Sequence, residues 1–234
     1  MNQHPSRNRN LGFILKWWHH FRPDAKIIVV EQKTETDLTH LPFVEHIKLK
    51  HDHGYSRSMG FNEGIKTCDN GIHVLADNDC ILHPDVMKNI EKDMEGTDYF
   101  IPYHWCHNLS EQETQGLCSG QLPYGHVKGS PRGHQNEGGI VMIKDEAYEK
   151  VGGFDPGFIG WGCEDSAFRV KCQKLVKMTR GKGVMHHLNH TVEYAKGQNP
   201  EYKKNNQLWG KIRNMSKEQT EDYIKSIGTK HFRG

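Results

Sequence analysis

Apolar residues recur at helical spacing from Leu11 through Phe13, Ile14, Leu15, Trp17 and Trp18 to Phe21, where Arg22-Pro23 stops the run. The β-branched stretch Lys26-Ile-Ile-Val-Val-Glu31 follows and reads as a buried strand, with a second, weaker strand near Val44 to Leu49. The pattern then predicts a helix over Ser56 to Thr67, a strand over Ile72 to Ala76, a helix over Pro84 to Met94 with Pro near its start, and a strand over Tyr99 to Pro102. Between Cys106 and Glu137 the chain turns polar and Gly-rich without a convincing period, the signature of a long functional or mobile loop. Order returns with a strand over Gly139 to Ile143, a helix over Asp145 to Val151 ended by Gly152-Gly153, and a helix over Ser166 to Val176. A strand over Gly183 to His187 comes next, then a last helix over Ser216 to Ile227 with a Ser216/Gln219 capping box and Gly228 at its stop. This alternation predicts one α/β domain built on a mainly parallel sheet flanked by helices.

At 234 residues the chain suffices for one sizeable core, and no Pro/Ser-rich linker divides it. The formal net charge of +2 gives no lead towards a polyanionic partner. Charge is unevenly spread, however. From Glu193 onward nine Lys/Arg stand against five Asp/Glu, and Tyr194, Tyr202 and Trp209 are interleaved with them. That segment reads as a solvated basic helical extension, or as a surface for nucleic acid. The six cysteines contain no C-x-x-C pair, the first ten residues are polar and basic, and no apolar run approaches the roughly 20 residues that cross a bilayer. The expectation is a cytoplasmic protein without membrane insertion; oligomeric state is not legible.

Three constellations carry chemistry. Asp77-Asn78-Asp79 ends a predicted strand, where open α/β sheets bind ligands; its carboxylates suit Mg²⁺ or Mn²⁺ on a diphosphate, or simply end the strand in a turn. In Val184-Met-His-His-Leu-Asn-His190, strand geometry sends His186 and His187 to opposite faces, so one of them can complete the coordination begun by Asp79, although buried or surface histidines have the same pattern. In Trp161-Gly-Cys-Glu-Asp165 an indole, which can stack on a sugar ring, precedes two carboxylates that serve either as bases or as favourable charges at a helix start. Gly138-Gly139 permits close approach of a ligand to the backbone, and Arg7, Arg9 and Arg57 are candidate phosphate or nucleotide contacts.

Taken in order, Ser-Arg-Asn-Arg9, Val-Val-Glu-Gln32, Tyr-Ser-Arg-Ser58, Ala-Asp-Asn-Asp79, Glu-Gly-Gly139, Gly-Trp-Gly-Cys-Glu-Asp165 and His-His-Leu-Asn-His190 resemble the GT-A glycosyltransferases. The similarity is to family 2-like enzymes with the C-terminal region shared by β-1,4-galactosyltransferases and polypeptide N-acetylgalactosaminyltransferases. It spans Arg7 to His190 and is most specific over Gly138 to Asp165. The resemblance implies a GT-A domain over 1–192, with 193–234 as the basic extension packed on or beside it. It implies a DxD motif in which Asp79 ligates the metal directly and Asp77 assists, with Asn78 between them. His187 is implied as the third ligand and His186 as its fallback. Arg7, Glu31 and Arg57 fall where relatives hold the nucleotide, Gly138, Gly139 and Trp161 line the sugar and acceptor side, Glu164 binds acceptor, and Asp165 is the general base. Asp165 stands where the retaining relatives have Asn, which cannot take a proton; this favours inversion. One departure stands out: relatives place a strand before the Ser-Arg-Asn-Arg loop, whereas here only the polar Met1 to Pro5 precede it.

The leading expectation is a Mn²⁺- or Mg²⁺-dependent inverting transferase that uses a nucleotide-sugar donor, with uridine diphosphate (UDP) as the nucleotide. The acceptor is a glycan, a small molecule or a hydroxymethylated DNA base. The competing classes are a non-catalytic nucleotide-sugar or carbohydrate-binding module of the same fold, and a zinc hydrolase built on some of the 17 histidines.

Overall fold

In a computed structural model, the structure describes residues 5–32, 36–50, 54–69, 71–134, 136–191 and 199–227. The expected stop at Gly228 and Tyr194 lie outside these residues. Helix α1 (Pro5–Phe21) opens the chain, and the Ser-Arg-Asn-Arg segment forms its first turns rather than a loop. Pro5 at the first position suits a helix start, because its missing N–H is one that no preceding turn would accept. Strands β1 (Ile27–Gln32) and β2 (Val44–Leu49) pair in parallel as a sheet of their own. Helix α2 (Arg57–Lys66) follows, capped by the Ser56 hydroxyl, which accepts from the Met59 amide.

The main sheet holds β3 (Ile72–Ala76), β4 (Cys80–Leu82), β5 (Tyr99–Asn108), β6 (Ser130–His134), β7 (Ile140–Lys144) and β8 (Met178–His187). Its order is β3-β7-β5-β8-β4, with β6 paired to the far end of β5. The α/β class and the mixed sheet are as expected, but the predominance of parallel pairing is not. Among the described strands of this sheet only β5 and β8 run parallel; the other four pairings are antiparallel. Helix–strand alternation predicts crossovers to neighbouring parallel strands, whereas here β7 enters between β3 and β5 against both.

Two expected strands prove longer than predicted. One was expected to end at Pro102 and the other to begin at Gly183, yet β5 and β8 run on past these points with shifts of register on either side of Tyr103. A Cβ at Gly181 would stand 2.6 Å from the Pro102 carbonyl oxygen, so glycine lets the two backbones close up where proline donates nothing to the ladder. The expected loop between Cys106 and Glu137 is also corrected: it holds the end of β5, helix α5 (Glu111–Cys118), a short 3₁₀ turn (Tyr124–His126) and β6. A full capping box starts α5, the Ser110 hydroxyl accepting from the Glu113 amide while Glu113 accepts from the Ser110 amide. The Pro84 to Met94 helix is two pieces, α3 (Pro84–Lys88) and α4 (Ile90–Asp93), broken where Asn89 Nδ2 donates to the Asp85 carbonyl at 2.6 Å.

The main core lies between β5 and β7, whose Tyr99, Ile101, Tyr103, Ile140, Met142 and Ile143 are fully buried, and the helices α6 (Asp145–Lys150) and α7 (Glu164–Leu175). Helices α8 (Tyr202–Asn214) and α9 (Lys217–Ser226) pack on α7 through a smaller cluster of Phe158, Ala167 and Ile212, joined by Leu208, Trp209 and Tyr223. Among the described residues no helix is long and apolar enough to cross a membrane.

Candidate active site

The site is assembled where β3 and β8 end and β4 begins, beside the first turn of α7. The Asp77 amide donates to the Gly139 carbonyl at 2.7 Å, closing β3 against the Gly138-Gly139 turn. The chain then turns through Asn78 into β4, which pairs Cys80 with His187 and so brings Asp79 alongside the end of β8. The Leu188 amide donates to the Asp79 carbonyl at 2.7 Å, and this bond bends the chain after β8 so that His190 returns to the same carboxylate. Asp79 Oδ1 lies 3.6 Å from His187 Nε2, and Asp79 Oδ2 lies 3.1 Å from His190 Nε2. The three ligand atoms fall within 4.8 Å of one another, close enough for one ion.

His186 is not part of this group. It is buried on the other face of β8, where Nδ1 shares a 3.0 Å hydrogen bond with the Tyr124 hydroxyl. His190, which the strand pattern did not single out, takes its place. Asp77 sits on the far side of Asp79, grouped with it and Cys80.

Electrostatics favour cation binding here. Burial would raise the Asp79 carboxyl, but the hydrogen bond from His190 and the nearby His187 outweigh it and hold the pKa at about 2. Burial pushes His187 down to about 4, leaving a neutral imidazole, the form that ligates metals. His190 is raised by its bond to Asp79, and its Nδ1 bonds the Thr191 carbonyl at 2.9 Å, so Nε2 is the atom presented to the group. Two imidazole nitrogens and a carboxylate form a donor set for one divalent transition-metal ion, with the carboxylate the harder ligand. Arg7, from the first turn of α1, has a buried Nε without a hydrogen-bond partner among the described residues, and its charge lowers both His187 and His190. Arg9 instead ties the helix down, donating to Glu111 at 2.6 Å and to the Asn189 carbonyl at 3.0 Å.

Across from the histidines, Arg57 gathers the acidic residues. Its Nε donates to Asp77 Oδ1 at 2.6 Å, its Nη1 pairs with Asp165, and Glu164 Oε1 lies 3.7 Å away. Burial would lower the guanidinium pKa, but Asp77 and Glu164 raise it, so the charge is permanent. Burial also pushes Asp77 up to about 6 against the pull of Arg57. The Gln32 side chain, another residue that sequence reasoning missed, positions Arg57 by exchanging two bonds with the Ser56 backbone at 2.8 and 2.9 Å. Glu31 is buried and bonds Thr36 at 2.5 Å and His46 at 3.0 Å.

Glu164 and Asp165 occupy the first turn of α7, where the helix dipole favours negative charge. The turn before them is left-handed at Gly160, Gly162 and Cys163, the last being the one non-glycine residue with positive φ among those described. The Gly162 amide donates to Glu164 at 3.1 Å. Gly138 lies against Asp165: a Cβ there would stand 2.6 Å from the Asp165 Cγ. Trp161 is 51% exposed beside the carboxylates.

The chain matches about four-fifths of Drosophila β1,4-galactosyltransferase 7, solved with xylobiose, at a TM-score of 0.54 and 14% identity, covering 93% of this chain and 80% of that one. The fold is GT-A. A mutant of the same Drosophila enzyme with manganese, UDP-Gal and xylobiose gives 0.52 at 13% identity, covering 92% of this chain and 77% of that one. GalNAc-T7 with UDP, GalNAc and Mn²⁺ gives 0.51 at 17% identity, covering 86% of this chain and 43% of that one. By sequence, residues 126–194 match the family model described as the N-terminal domain of galactosyltransferase. No curated protein matches the chain by sequence. The matched segment contains the Gly138-Gly139 turn, the Trp161 to Asp165 turn and both site histidines of this GT-A domain; Arg57, Asp77 and Asp79 lie outside it.

Proposed function

We infer that the protein is a metal-dependent inverting glycosyltransferase that moves a sugar from a UDP-linked donor to an acceptor hydroxyl, with Asp165 as general base. One observation carries this reading: Asp79, His187 and His190 form one group of ligand atoms, and the Arg57 guanidinium, paired with both Asp77 and Asp165, joins the adjoining Asp77 to the carboxylate read as the base. Asp79, His187 and His190 would hold Mn²⁺, or Mg²⁺ less well, and the ion when bound supplies charge to offset the departing diphosphate. Manganese accompanies UDP-Gal or UDP in two of the similar structures, which supports the choice.

The chain's own groups do the rest. Arg7 and Arg57 face the nucleotide side, and Arg57 pairs with Asp165. An acceptor hydroxyl hydrogen-bonded to Asp165 gives up its proton as the oxygen attacks the sugar. Glu164, fixed by the Gly162 amide, orients a second acceptor hydroxyl, and the exposed indole of Trp161 stacks on the acceptor ring. We favour a glycan or small sugar as acceptor. The DNA-base reading drew on the basic, aromatic C-terminal segment, whose Trp209 is partly buried in the cluster with Phe158 and Ile212 and has Arg213 over its ring at 4.5 Å, so this ring is already engaged. A cytoplasmic location remains part of the reading, in keeping with six unpaired cysteines.

The test is calorimetry of UDP with and without Mn²⁺ on wild type and Asp79→Ala, followed by sugar transfer in Asp165→Asn. Metal-dependent UDP binding lost in Asp79→Ala, and transfer reduced about 10²- to 10⁴-fold in Asp165→Asn with UDP binding intact, are expected. Undiminished transfer by Asp165→Asn would remove the base, and UDP binding without any turnover in wild type would make the protein a binding module.

A further inference from the structure

Residues 159–162 include two glycines in left-handed conformation. The Gly160 amide donates to the Tyr55 carbonyl at 2.7 Å and the Gly162 amide to Glu164, while the backbone groups of Ile159 and the Trp161 carbonyl are met by side chains from the far end of the sequence. Asn205, which is 1% exposed on α8, takes both groups of Ile159, donating to its carbonyl at 2.9 Å and accepting from its amide at 3.4 Å. Asn199 Nδ2 donates to the Trp161 carbonyl at 2.6 Å. Its Oδ1 accepts from the Glu201 amide at 3.1 Å, which fixes the amide plane against the first turn of α8. A Cβ on Gly160 would stand 2.7 Å from that oxygen, and one on Gly162 would stand 3.0 Å from the Tyr202 ring, so both glycines admit this close approach. The Tyr202 ring lies nearly parallel to the Trp161 indole, 6.1 Å between centroids at 16°.

We propose that Tyr202, with Asn199 and Asn205, is the positioning brace of the Trp161 turn, and that by covering one indole face it sets specificity for an acceptor whose ring presents an apolar face to the other. This rests on the reading of Trp161 as the acceptor platform. A buried asparagine holding both polar groups of one residue, and a second holding the next carbonyl but one, leave the turn little freedom to rotate. With one face of Trp161 stacked on tyrosine, an acceptor ring would stack on the other face. The brace lies outside residues 126–194, so the segment that matches galactosyltransferases supplies the platform and the helix beyond it supplies the support.

The experiment compares wild type, Tyr202→Ala and Tyr202→Phe, with Trp161→Phe as the reference that isolates the Trp161 fluorescence from Trp17, Trp18, Trp105 and Trp209. Acrylamide quenching of Trp161 should rise in Tyr202→Ala and stay at the wild-type level in Tyr202→Phe, because the ring and not the hydroxyl makes the stack. With UDP and Mn²⁺ present, 4-nitrophenyl β-xyloside serves as the acceptor probe, and its affinity should fall about three- to tenfold in Tyr202→Ala alone. UDP–Mn²⁺ affinity should be equal in wild type, Tyr202→Ala and Tyr202→Phe, which also shows that each is folded. If wild type fails to bind UDP with Mn²⁺, the transferase reading falls, while the quenching still decides the brace. If UDP binds and Tyr202→Ala leaves quenching unchanged, the brace is overturned; if quenching changes but the probe affinity does not, or wild type does not bind the probe, the specificity role is overturned.

Discussion

Replacing His190 and His186 separately distinguishes a metal group built on the bend after β8 from one built on the strand itself. In His190→Ala the Asp79 carboxylate loses the imidazole 3.1 Å away, and one of three grouped ligand atoms is gone. Removing groups that merely orient a ligand costs about 10- to 100-fold in metal affinity, so loss of the ligand itself should cost at least about 100-fold, or roughly 2.7 kcal/mol. His186→Ala touches a different part of the molecule. It removes a half-shared hydrogen bond to Tyr124 and leaves a void among Tyr124, His107 and β4, costing about 1–3 kcal/mol of folding stability. Its metal affinity should remain within about twofold of wild type, a margin that mutations of unconnected sites ordinarily respect. The assay is calorimetric titration of Mn²⁺ in the presence of saturating UDP, paired with urea denaturation of each variant. The reasoning is refuted if His186→Ala loses Mn²⁺ while His190→Ala retains it, or if neither change alters Mn²⁺ affinity.

Three further outcomes follow from particular contacts. Gly138→Ala places a methyl 2.6 Å from the Asp165 Cγ and must displace the carboxylate by about 1 Å; transfer should fall about 100-fold while UDP–Mn²⁺ affinity stays within about threefold, as steady-state kinetics and calorimetry would show. Lys171 is fully buried, and burial pulls its pKa from 10.5 to about 8 against Asp155, so between those values the unfolded chain binds the proton that the folded chain has lost and stability rises with pH. Lys171→Met removes this contribution, so the stability difference between wild type and variant should shift by about 3 kcal/mol in favour of wild type from pH 8 to 10.5 in urea titrations, and a flat difference would sink the argument. Ser110→Ala removes the cap of α5, whose Thr114 hydroxyl accepts from the Asn189 amide at 2.9 Å beside the histidines; a loss of about 1 kcal/mol in thermal or urea denaturation is expected.

The residues that make elements out of local chemistry were legible, and those that depend on distant pairing were not. Val29, Val30 and their neighbours declare a strand, and Ser216 with Gln219 declares a helix start, because each signal is carried within a few residues. Ser110 and Glu113 carry the same capping signal, yet the glycines around them hid it, and a helix of eight residues was read as loop. Strand direction is a non-local fact: nothing within β7 says that it lies between β3 and β5 and antiparallel to both. Pro102 misled for a related reason, since its cost to a ladder depends on what lies opposite, and Gly181 is what lies opposite.

The candidate site divides along the same line. Period-two geometry correctly sends His186 and His187 apart, but it cannot say which face holds Asp79, and it stops where the strand stops. His190 reaches the carboxylate only because the Leu188 amide bonds the Asp79 carbonyl and bends the chain, a contact across more than a hundred residues. Arg57 shows the converse: a lone arginine in sequence becomes the common partner of Asp77 and Asp165 once α2, β3 and α7 converge. Those carboxylates come from about seven-tenths of the way along the chain and from its first third, and bringing the two like charges together would be costly without that cation. The arginine is therefore the structural condition for bringing the Asp165 and Asp77 carboxylates together, and the proposed base and metal roles of this site depend on it.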